Sequence, residues 1–436
     1  MHLAPGILHL APGIRHHIHM KTYALVTLGC KVNQYEGDRL KAQLTGLTNV
    51  PFGGAADLFI INACSVTAEA EAKARQLVNR AKRTAPDALV VLTGCWPKAQ
   101  TDNFRSLGVD LFFDNAAKAD LVKSLPLRGA IRSPATVNTV VTTRTRAFVK
   151  VQDGCDQFCS YCSIPLFRGR LASRPSDAVI GEIAAMVNAG VPEVVLTGIH
   201  LGKYGVDIGG GGSDLVGLIN AILKATALPR LRISSIEPLE VTDELIGLLA
   251  VEARLAKHLH IPLQSGSDKI LAAMNRNYSA GEYLSLVKKL RKDLPDIGLT
   301  TDIIVGFPGE SEADFLATLA TIMEAAFSRL HIFKFSARPD TAAASLPGRI
   351  SPAAKKERAA RLKEIGSALS ADFAARFIGR HISVVVERSQ KGRQNGLTSQ
   401  YVRAKFERAP DISDNPFDAV GIKTEADVLI ARKNNG

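Results

Sequence analysis

Long apolar runs and a dense set of cysteines are both missing from this chain of 436 residues. The sequence holds no run of about eighteen apolar residues, the length that a membrane-spanning helix needs, so we expect no membrane partner. The chain has 6 cysteines and no leader with a long apolar core and a small-residue cleavage site, which argues against a secreted, disulfide-stapled protein. We therefore expect reduced thiols and a cytoplasmic location.

A surplus of acidic residues is also missing, since Lys and Arg total 54 against 42 Asp and Glu, a formal net charge of +12. Such a charge suits a polyanionic partner such as RNA, because phosphate contacts supply most sequence-independent affinity, although many basic proteins bind no nucleic acid. The length allows two or three domains with full cores. Residues 1–19 repeat HLAPGI ahead of Met20, so we expect a disordered leader or a mis-assigned start there.

Three of the cysteines lie together in the stretch VQDGCDQFCSYCSIP, where Cys155, Cys159 and Cys162 have CxxxCxxC spacing. Three thiolates placed this closely can hold three irons of a cubane cluster and leave the fourth iron open to an exogenous ligand. Zinc is an alternative, but it usually takes four ligands, and residues 163–190 offer no second cysteine pair. The motif therefore favours an iron-sulfur site.

The other three cysteines are far apart in sequence but share a topological position. Residues 20–125 alternate strand-like apolar runs with helical stretches, which predicts parallel βαβ units. Cys30, Cys64 and Cys95 each follow one of these strands, and parallel strands end at one edge of a sheet. We expect the loops at that edge to bring the three thiols into a second site; the alternative is three separately buried small residues.

Apolar strands and helical stretches alternate again between about Phe148 and Phe335. The strand sequences are AFVKVQ, EVVLTG, LRISSI, HLHIPL, LTTDIIVGF and LHIFKF. Such strands predict a partial parallel (β/α)6 barrel, whose active site lies at the carboxyl ends of the strands. The CxxxCxxC loop leaves the first strand, so topology and motif agree on where the chemistry takes place.

A charged helical stretch from Lys355 to Phe377 follows the barrel and leads to the strand-like segments HISVVVE, YVRAKF and ADVLIA. These segments predict a small C-terminal β-domain. The fold class is therefore α/β with a β appendage. We expect three domains after the leader, at residues 20–130, 131–378 and 379–436.

Four segments carry a resemblance to a known family: TLGCKVNQYE, NACSVTAEAEAKARQ, LTGCWPKAQ and VQDGCDQFCSYCSIPLFRGR. Together they resemble the radical S-adenosylmethionine (SAM) methylthiotransferases, and the similarity runs from about Lys21 to the C-terminus. KVNQYE after the first cysteine is similar to the MtaB branch, whereas the sister branches typically have CQMN or CPKN there. Residues 379–436 resemble the RNA-binding TRAM domain, a small β-barrel.

The resemblance implies two 4Fe-4S clusters and SAM as cofactors. The catalytic set would be Cys155, Cys159 and Cys162, whose cluster binds and reductively cleaves SAM, and the auxiliary set would be Cys30, Cys64 and Cys95. The implied reaction adds a methylthio group to C2 of N6-threonylcarbamoyladenosine at position 37, in the anticodon loop of tRNA. It also implies a reductant, such as flavodoxin or ferredoxin, and a sulfur donor.

Residues near the cysteine motif and at the ends of the barrel strands match positions where the family binds its cofactor. The implied cofactor-binding residues are Tyr161, Thr197, Gly198, Ser234, Glu237, His260, Gln264, Asp302 and Gly306. Taken alone, a glycine at the end of a strand, such as Gly198, more often marks only a turn. A histidine such as His260 is more often a core residue than a binding residue. Ser234 is about as easily explained as a helix cap as by contact with a cofactor. Arg168, Arg170 and Arg174 flank the cysteine motif and are predicted to contact tRNA phosphates, although charge clusters are usually solvated surface.

Two other functions stay open. A methylthiotransferase of a sister branch would share every cysteine but act on isopentenyladenosine in tRNA or on a ribosomal protein; KVNQYE argues against it. A non-enzymatic iron-sulfur protein that binds RNA or transfers electrons would use the basic surface without a cofactor pocket. The segments LTGIHLG, RISSIEP and HIPLQSGSD at successive strand ends disfavour this second alternative.

Overall fold

A computed structural model describes residues 7–8, 20–96, 101–125, 145–209, 214–387, 394–406 and 415–434. The chain forms an N-terminal sheet, a central row of parallel strands and a C-terminal barrel, which confirms the predicted architecture. Of residues 1–19, expected to be a disordered leader or a mis-assigned start, the structure describes Ile7–Leu8, a short strand that pairs with Phe112 and Phe113. The rest of that leader and the expected boundary at residue 130 lie outside the described residues.

The N-terminal unit is a parallel sheet with an antiparallel edge strand. Its elements are β1 (Ile7–Leu8), β2 (Thr22–Thr27), α1 (Lys31–Gln43), β3 (Thr48–Asn49), β4 (Leu58–Cys64), α2 (Ala68–Thr84), β5 (Leu89–Cys95), α3 (Thr101–Ser106), β6 (Leu111–Phe113) and α4 (Leu121–Ser124), and the strand order is β1-β6-β5-β4-β2-β3. Alternate residues of β4 enter two separate cores: Phe59 and Ile61 pack with α2, and Leu58 and Ile60 pack with α1. Helices thus cover both faces, as the continuous apolar runs of buried parallel strands predict.

The central unit contains the parallel strands that the sequence predicted. Its strands are β7 (Arg146–Lys150), β8 (Gln152–Asp153), β9 (Ala172–Ser173), β10 (Glu193–Thr197), β11 (Arg230–Ile233), β12 (His258–His260), β13 (Gly298–Val305) and β14 (Arg329–Lys334). Its helices are α5 (Ile164–Arg168), α6 (Ser176–Asn188), α7 (Leu215–Ala225), α8 (Asp243–Val251), α9 (Asp268–Ala273), α10 (Ala280–Asp293), α11 (Glu312–Ala325) and α12 (Pro352–Ala375).

Six of those strands form an open, curved row, while β8 and β9 pair separately as an antiparallel ribbon. Among the described residues, β11-β10-β7 and β12-β13-β14 make parallel sheets of three strands each. Isolated bridges between Leu231 and Leu255 and between Ser235 and His260 join the two sheets. The row is a partial barrel, so the carboxyl ends of its strands share one rim.

The C-terminal unit is a closed barrel of five strands within the described residues: β15 (His381–Glu387), β16 (Asn395–Thr398), β17 (Arg403–Phe406), β18 (Phe417–Glu425) and β19 (Val428–Lys433). The sequence predicted β15, β17 and β19 but not β16 or β18. β16 has the sequence NGLT, which reads as a turn because Asn and Gly are poor strand formers. Barrel closure overrides that local preference, since every strand then pairs on both sides.

Buried arginines attach this barrel to the central unit at the amino ends of the parallel strands. Glu193 is fully buried and accepts hydrogen bonds from Arg230 Nε at 2.6 Å and Arg232 Nε at 2.9 Å. The same guanidinium groups donate to carbonyl oxygens of Leu397 and Thr398 at 2.8 and 3.0 Å. The C-terminal barrel therefore docks opposite the rim where chemistry is expected. Among the described helices, none combines the length and apolar composition of a bilayer span.

Candidate active site

The three N-terminal cysteines meet at one edge of the N-terminal sheet. Cys64 and Cys95 end β4 and β5 and are direct partners in the parallel register. Cys30 precedes α1, at the end of the loop that follows β2. Burial first, and then the neighbouring Cys95 and Cys30, raise the pKa of the Cys64 thiol to about 11. The structure thus brings together three thiols that are widely spaced in sequence.

Close backbone approach makes this meeting possible. Gly29 has φ of 91°, and a Cβ atom there would lie 2.7 Å from Cys64 Cβ. Asn33 ties the neighbouring loops together, because its Nδ2 donates to the carbonyl oxygens of Leu28 at 3.0 Å and Ala63 at 2.9 Å. Only glycine tolerates both that φ and that proximity, so the sequence GC before α1 has a structural cause.

Arg168 is not an RNA-phosphate contact, which corrects that prediction. Its side chain has 0% exposure, and its Nε lies 3.2 Å from Cys95 Sγ. Its other nitrogens donate to Asn33 Oδ1 at 2.6 Å, Glu36 Oε1 at 3.0 Å and Asp153 Oδ1 at 2.9 Å. A guanidinium with all its donors engaged inside the protein has none left for phosphate.

The partners of Arg168 belong to a buried network of charges. Glu36 also accepts from Lys118 Nζ at 2.5 Å and from Lys150 Nζ at 2.8 Å. Burial disfavours the Glu36 carboxylate, but Lys118, Arg168 and Lys150 outweigh burial and hold its pKa well below the usual range. Because Arg168 ends α5, just after the CxxxCxxC loop, this network joins the loops of the two cysteine sets.

The other two predicted RNA-binding arginines differ from each other. Arg174 is largely committed within the protein, because it donates to Tyr35 Oη at 3.0 Å, to the Lys150 carbonyl at 2.7 Å and to Glu182 Oε2 at 2.7 Å. Arg170 is exposed beside the cysteine loop. Its contact with RNA stays a prediction.

The CxxxCxxC loop lies at the carboxyl end of β7, between β8 and α5. Gly154 has φ of 69° and packs so closely on the chain that a Cβ would lie 1.8 Å from the Arg170 carbonyl oxygen. Burial first, and then Cys159 and Cys155, raise the pKa of the Cys162 thiol to about 12. The three cysteines of this loop are thus near neighbours.

Two cationic side chains that the sequence reasoning missed hold this loop. His200 Nδ1 lies 3.3 Å from Cys155 Sγ, and its Nε2 lies 2.6 Å from Glu240 Oε1. Burial opposes protonation of His200, but its hydrogen bonds to Cys155 and Glu240 outweigh burial and raise its pKa to about 10. Arg276 Nη1 lies 3.4 Å from Cys159 Sγ, and the same guanidinium pairs with Glu237. His200 stands inside the quoted segment LTGIHLG and could have been found there; no motif marks Arg276.

The donor sets fit iron-sulfur clusters. Each set offers three free thiols, and soft sulfur is the ligand type that such clusters take. Cationic donors at Cys95, Cys155 and Cys159 compensate thiolate charge, which metal binding requires because the ligands must lose their protons. Among the described residues no three His, Cys, Asp or Glu side chains converge on one ion position; the cysteines of a cubane each bind a different iron and need not converge.

The cofactor-binding residues predicted at the strand ends line the rim or support it. His260 Nε2 lies 3.2 Å from Asp302 Oδ1, and Gln264 has φ of 65°. Gly306 has φ of 74° and donates its N–H to Glu310 at 2.6 Å.

The remaining predicted residues are placed as follows. Ser234 Oγ is buried with no hydrogen-bond partner among the described residues, and Glu237 pairs with Arg276. Thr197 is buried, and the backbone of Gly198 lies close to the Gln152 side chain. Tyr161 packs in a small apolar cluster with Ile270 and Phe307.

A cavity of about 570 Å³ lies between the N-terminal and central units, and Tyr401 of the C-terminal unit also lines it. Cys30 and Cys64 lie on its N-terminal side, and Ser234, His260 and Asp302 lie on its barrel side. A smaller cavity of about 260 Å³ lies beside the CxxxCxxC loop. Its lining includes Asp156, His200, Glu237, Glu240 and Tyr278. The larger cavity is big enough for a nucleobase with a substituent.

Comparisons with known proteins agree with this geometry. Residues 149–322 match the radical SAM superfamily, and residues 22–114 match a family described as uncharacterized protein family UPF0004. The chain is 40% identical to the threonylcarbamoyladenosine tRNA methylthiotransferase MtaB of Thermotoga maritima, over 89% of this chain and 92% of that protein. It is 34% identical to the protein of the same name from Bacillus subtilis, over 90% of this chain and 92% of that protein.

A solved structure shares the fold at low sequence identity. The radical SAM methyltransferase TsrM from Kitasatospora setae superposes with a TM-score of 0.54 at 15% identity, over 74% of this chain and 77% of that one. At this identity the likeness concerns the fold.

Proposed function

Because this chain belongs to the radical SAM methylthiotransferase family, in its MtaB branch, we propose that it adds a methylthio group to C2 of N6-threonylcarbamoyladenosine at position 37 of tRNA. The observation that carries the proposal is the presence of two cysteine sets whose loops are joined by Arg168. The names of the two relatives described above support the substrate.

Each cysteine set has its own role. Cys155, Cys159 and Cys162 would hold the cluster to which SAM binds, and Cys30, Cys64 and Cys95 would hold the auxiliary cluster. When bound, these cofactors supply the radical chemistry that an unreactive C–H bond requires and the sulfur that is transferred. His200 and Arg276 keep the CxxxCxxC loop in position through Cys155 and Cys159.

The larger cavity receives the base. An adenosine in an anticodon loop can be splayed out of the loop and need not be extracted from a duplex. Cys30 and Cys64 then lie on one side of the base and the strand ends of the barrel on the other. The N-terminal unit forms one wall of this space.

The remaining partners follow from the reaction class. Reductive cleavage of SAM needs an electron donor of the flavodoxin or ferredoxin kind, and the product needs a sulfur donor. Arg170 and the C-terminal TRAM-like barrel contact the tRNA backbone. The enzyme works in the cytoplasm, where tRNA and reduced thiols are found.

Mass spectrometry of tRNA nucleosides tests the proposal. A deletion strain should lack 2-methylthio-N6-threonylcarbamoyladenosine, and restoring the gene should bring it back, whereas a gene with Cys159→Ala should not. Unchanged levels of that nucleoside, with loss of its isopentenyl analogue or of a modified ribosomal protein instead, would move the enzyme to a sister branch. Unchanged levels of all three would contradict the proposed reaction.

A further inference from the structure

The larger cavity contains a lysine whose charge is not paired. Lys31, Arg146 and Arg232 are its lining cations. Arg146 pairs with Glu387 at 2.7 Å, and Arg232 pairs with Glu193 at 2.9 Å. Lys31, by contrast, makes no hydrogen bond or ion pair with any other part of the chain that the structure describes.

Lys31 is held in this position by the fold. It is the first residue of α1 and directly follows Cys30, so its stem leaves the sheet edge where the N-terminal cysteines meet. It is partly buried. Its charge acts across the cavity on His258, which lies on β12 of the partial barrel. Burial first, and then Arg232 and His260, lower the pKa of His258, and Lys31 adds to that lowering.

The barrel side of the cavity offers Lys31 no direct ion pair among the described residues, although Asp302 lies within range of its charge. Asp302 is the carboxylate among the described lining residues, and its Oδ1 lies 3.2 Å from His260 Nε2. His260 and His331 pack edge to face beside it, with ring centroids 5.3 Å apart. Lys31 is therefore the lining cation that has no ion-pair partner among the described residues, and a cation without a direct partner in a partly enclosed site favours an anionic ligand.

The cavity also presents apolar surface to solvent. Phe333 is 41% exposed and Val66 is 37% exposed, and both belong to the lining, one from the barrel and one from the N-terminal unit. An exposed aromatic ring is a platform on which a nucleobase can stack. The ligand that matches both features has a flat aromatic base and a carboxylate.

We propose that Lys31 binds the carboxylate of the threonyl group on the substrate adenosine, while the base packs against Phe333. This assignment rests on the proposed function, since it takes the substrate from there and adds the residue that recognises it. The isopentenyl group of the sister substrate has no carboxylate, so Lys31 also makes the site selective. A charge-assisted hydrogen bond of this kind changes affinity by about tenfold or more.

Binding measurements on the intact enzyme with both clusters loaded test the assignment. The probes are two fluorescent anticodon stem-loop RNAs that differ in carrying N6-threonylcarbamoyladenosine or adenosine. Wild-type enzyme should bind the first about tenfold more tightly, and Lys31→Gln should bind both equally. Lys31→Arg should keep the preference because it keeps the charge. Lys41→Gln, on the same helix but paired with Asp38, is the matched control and should behave like wild type.

A third RNA, with the threonyl carboxylate converted to its methyl ester, locates the contact on the ligand. Esterification should weaken binding to wild type about tenfold and leave binding to Lys31→Gln unchanged. If Lys31→Gln, with its iron content intact, still prefers the threonylcarbamoyl RNA, the assignment is wrong. If Lys31→Gln loses iron, Lys31→Arg becomes the deciding variant. Loss of the preference for the threonylcarbamoyl RNA in Lys31→Arg would then overturn the assignment.

Turnover by wild-type enzyme separates this inference from the proposed function. If wild type methylthiolates threonylcarbamoyladenosine tRNA but Lys31→Gln keeps its preference, the function stands and the role of Lys31 falls. If wild type acts on isopentenyladenosine tRNA instead, both fall together.

Discussion

The two cysteine sets of this protein are delivered to their sites in opposite ways. Cys155, Cys159 and Cys162 lie in one loop, and local sequence determines their separation. Cys30, Cys64 and Cys95 come from three loops and meet because parallel β4 and β5 end in register and because Gly29 allows close contact. The first set depends on one loop's conformation, whereas the second depends on the integrity of a whole sheet.

The two cysteine sets also differ in which unit supplies their cationic neighbours. Cys155 and Cys159 each have a cationic donor from the barrel itself, His200 and Arg276. Cys95 takes its donor, Arg168, from the neighbouring unit. The N-terminal cysteine set therefore takes its cationic neighbour from another unit, while the CxxxCxxC set takes its cationic neighbours from its own unit.

Removing one ligand from each set should have the largest effect. Cys159→Ala should abolish SAM cleavage, and Cys64→Ala should leave cleavage intact but stop methylthio transfer, because the two sites are held by separate elements. Each variant should lose ~4 irons per chain. Product analysis for 5'-deoxyadenosine and for the methylthiolated nucleoside checks this division. Loss of cleavage in both variants, with unchanged folding, would contradict it.

Removing Arg168, which connects the N-terminal and central units, should have the second largest effect. Arg168→Met removes one of the two cations that Glu36 and Asp153 share and leaves them Lys150, so the cost should lie below the about 3–5 kcal/mol of a fully broken buried ion pair. We expect a lower midpoint in denaturant unfolding and loss of the auxiliary cluster ahead of the SAM cluster. Arg170→Met, an exposed neighbour, is the matched control. Equal loss of both clusters would show that Arg168 does not serve the auxiliary site in particular.

A smaller and more selective effect is expected at Arg276. Its side chain is 2% exposed and touches Cys159 and Glu237. Arg276→Met should reduce SAM cleavage about 10- to 100-fold, as loss of hydrogen bonds behind metal ligands generally does. The electron paramagnetic resonance signal of the auxiliary cluster should be unchanged. A change in that signal would mean that the two sites are coupled more tightly than their separate donors suggest.

The smallest effect is expected at the surface. Arg170→Gln should weaken tRNA binding modestly and reduce the slope of log affinity against log salt by about one, the signature of a lost phosphate contact. Arg174→Gln serves as comparison, because Arg174 is engaged with Glu182 and Tyr35 and should change the slope less. Filter binding at several salt concentrations measures both. An unaltered slope for Arg170→Gln would remove this residue from the tRNA surface.

Local sequence pattern reveals some strands of this fold and not others. The three strands that precede Cys30, Cys64 and Cys95 (β2, β4 and β5) and the six parallel strands of the partial barrel were predicted, because buried parallel strands are continuous apolar runs that local pattern reveals. The short strands β3 and β6 were not predicted. β16 was missed because it begins with Asn-Gly, and β18 was missed because Asp418, Gly421 and Lys423 interrupt its apolar residues; barrel closure holds both as strands. Residues 1–19 were expected to be a disordered leader or a mis-assigned start, and that stays a prediction; the pairing of Ile7–Leu8 with β6 is one that no local pattern predicts.

The same contrast applies to the residues around the cysteines. By itself the sequence determined the ligand types, the CxxxCxxC spacing and the order of strands and helices, because these depend on neighbours along the chain. The tertiary structure alone decided that Arg168 is buried against Cys95, that Arg276 lies beside Cys159 and that Lys31 faces a cavity unpaired among the described residues. A charged side chain has the same local signature on a surface as in a buried network, and packing between distant segments determines which of the two it joins.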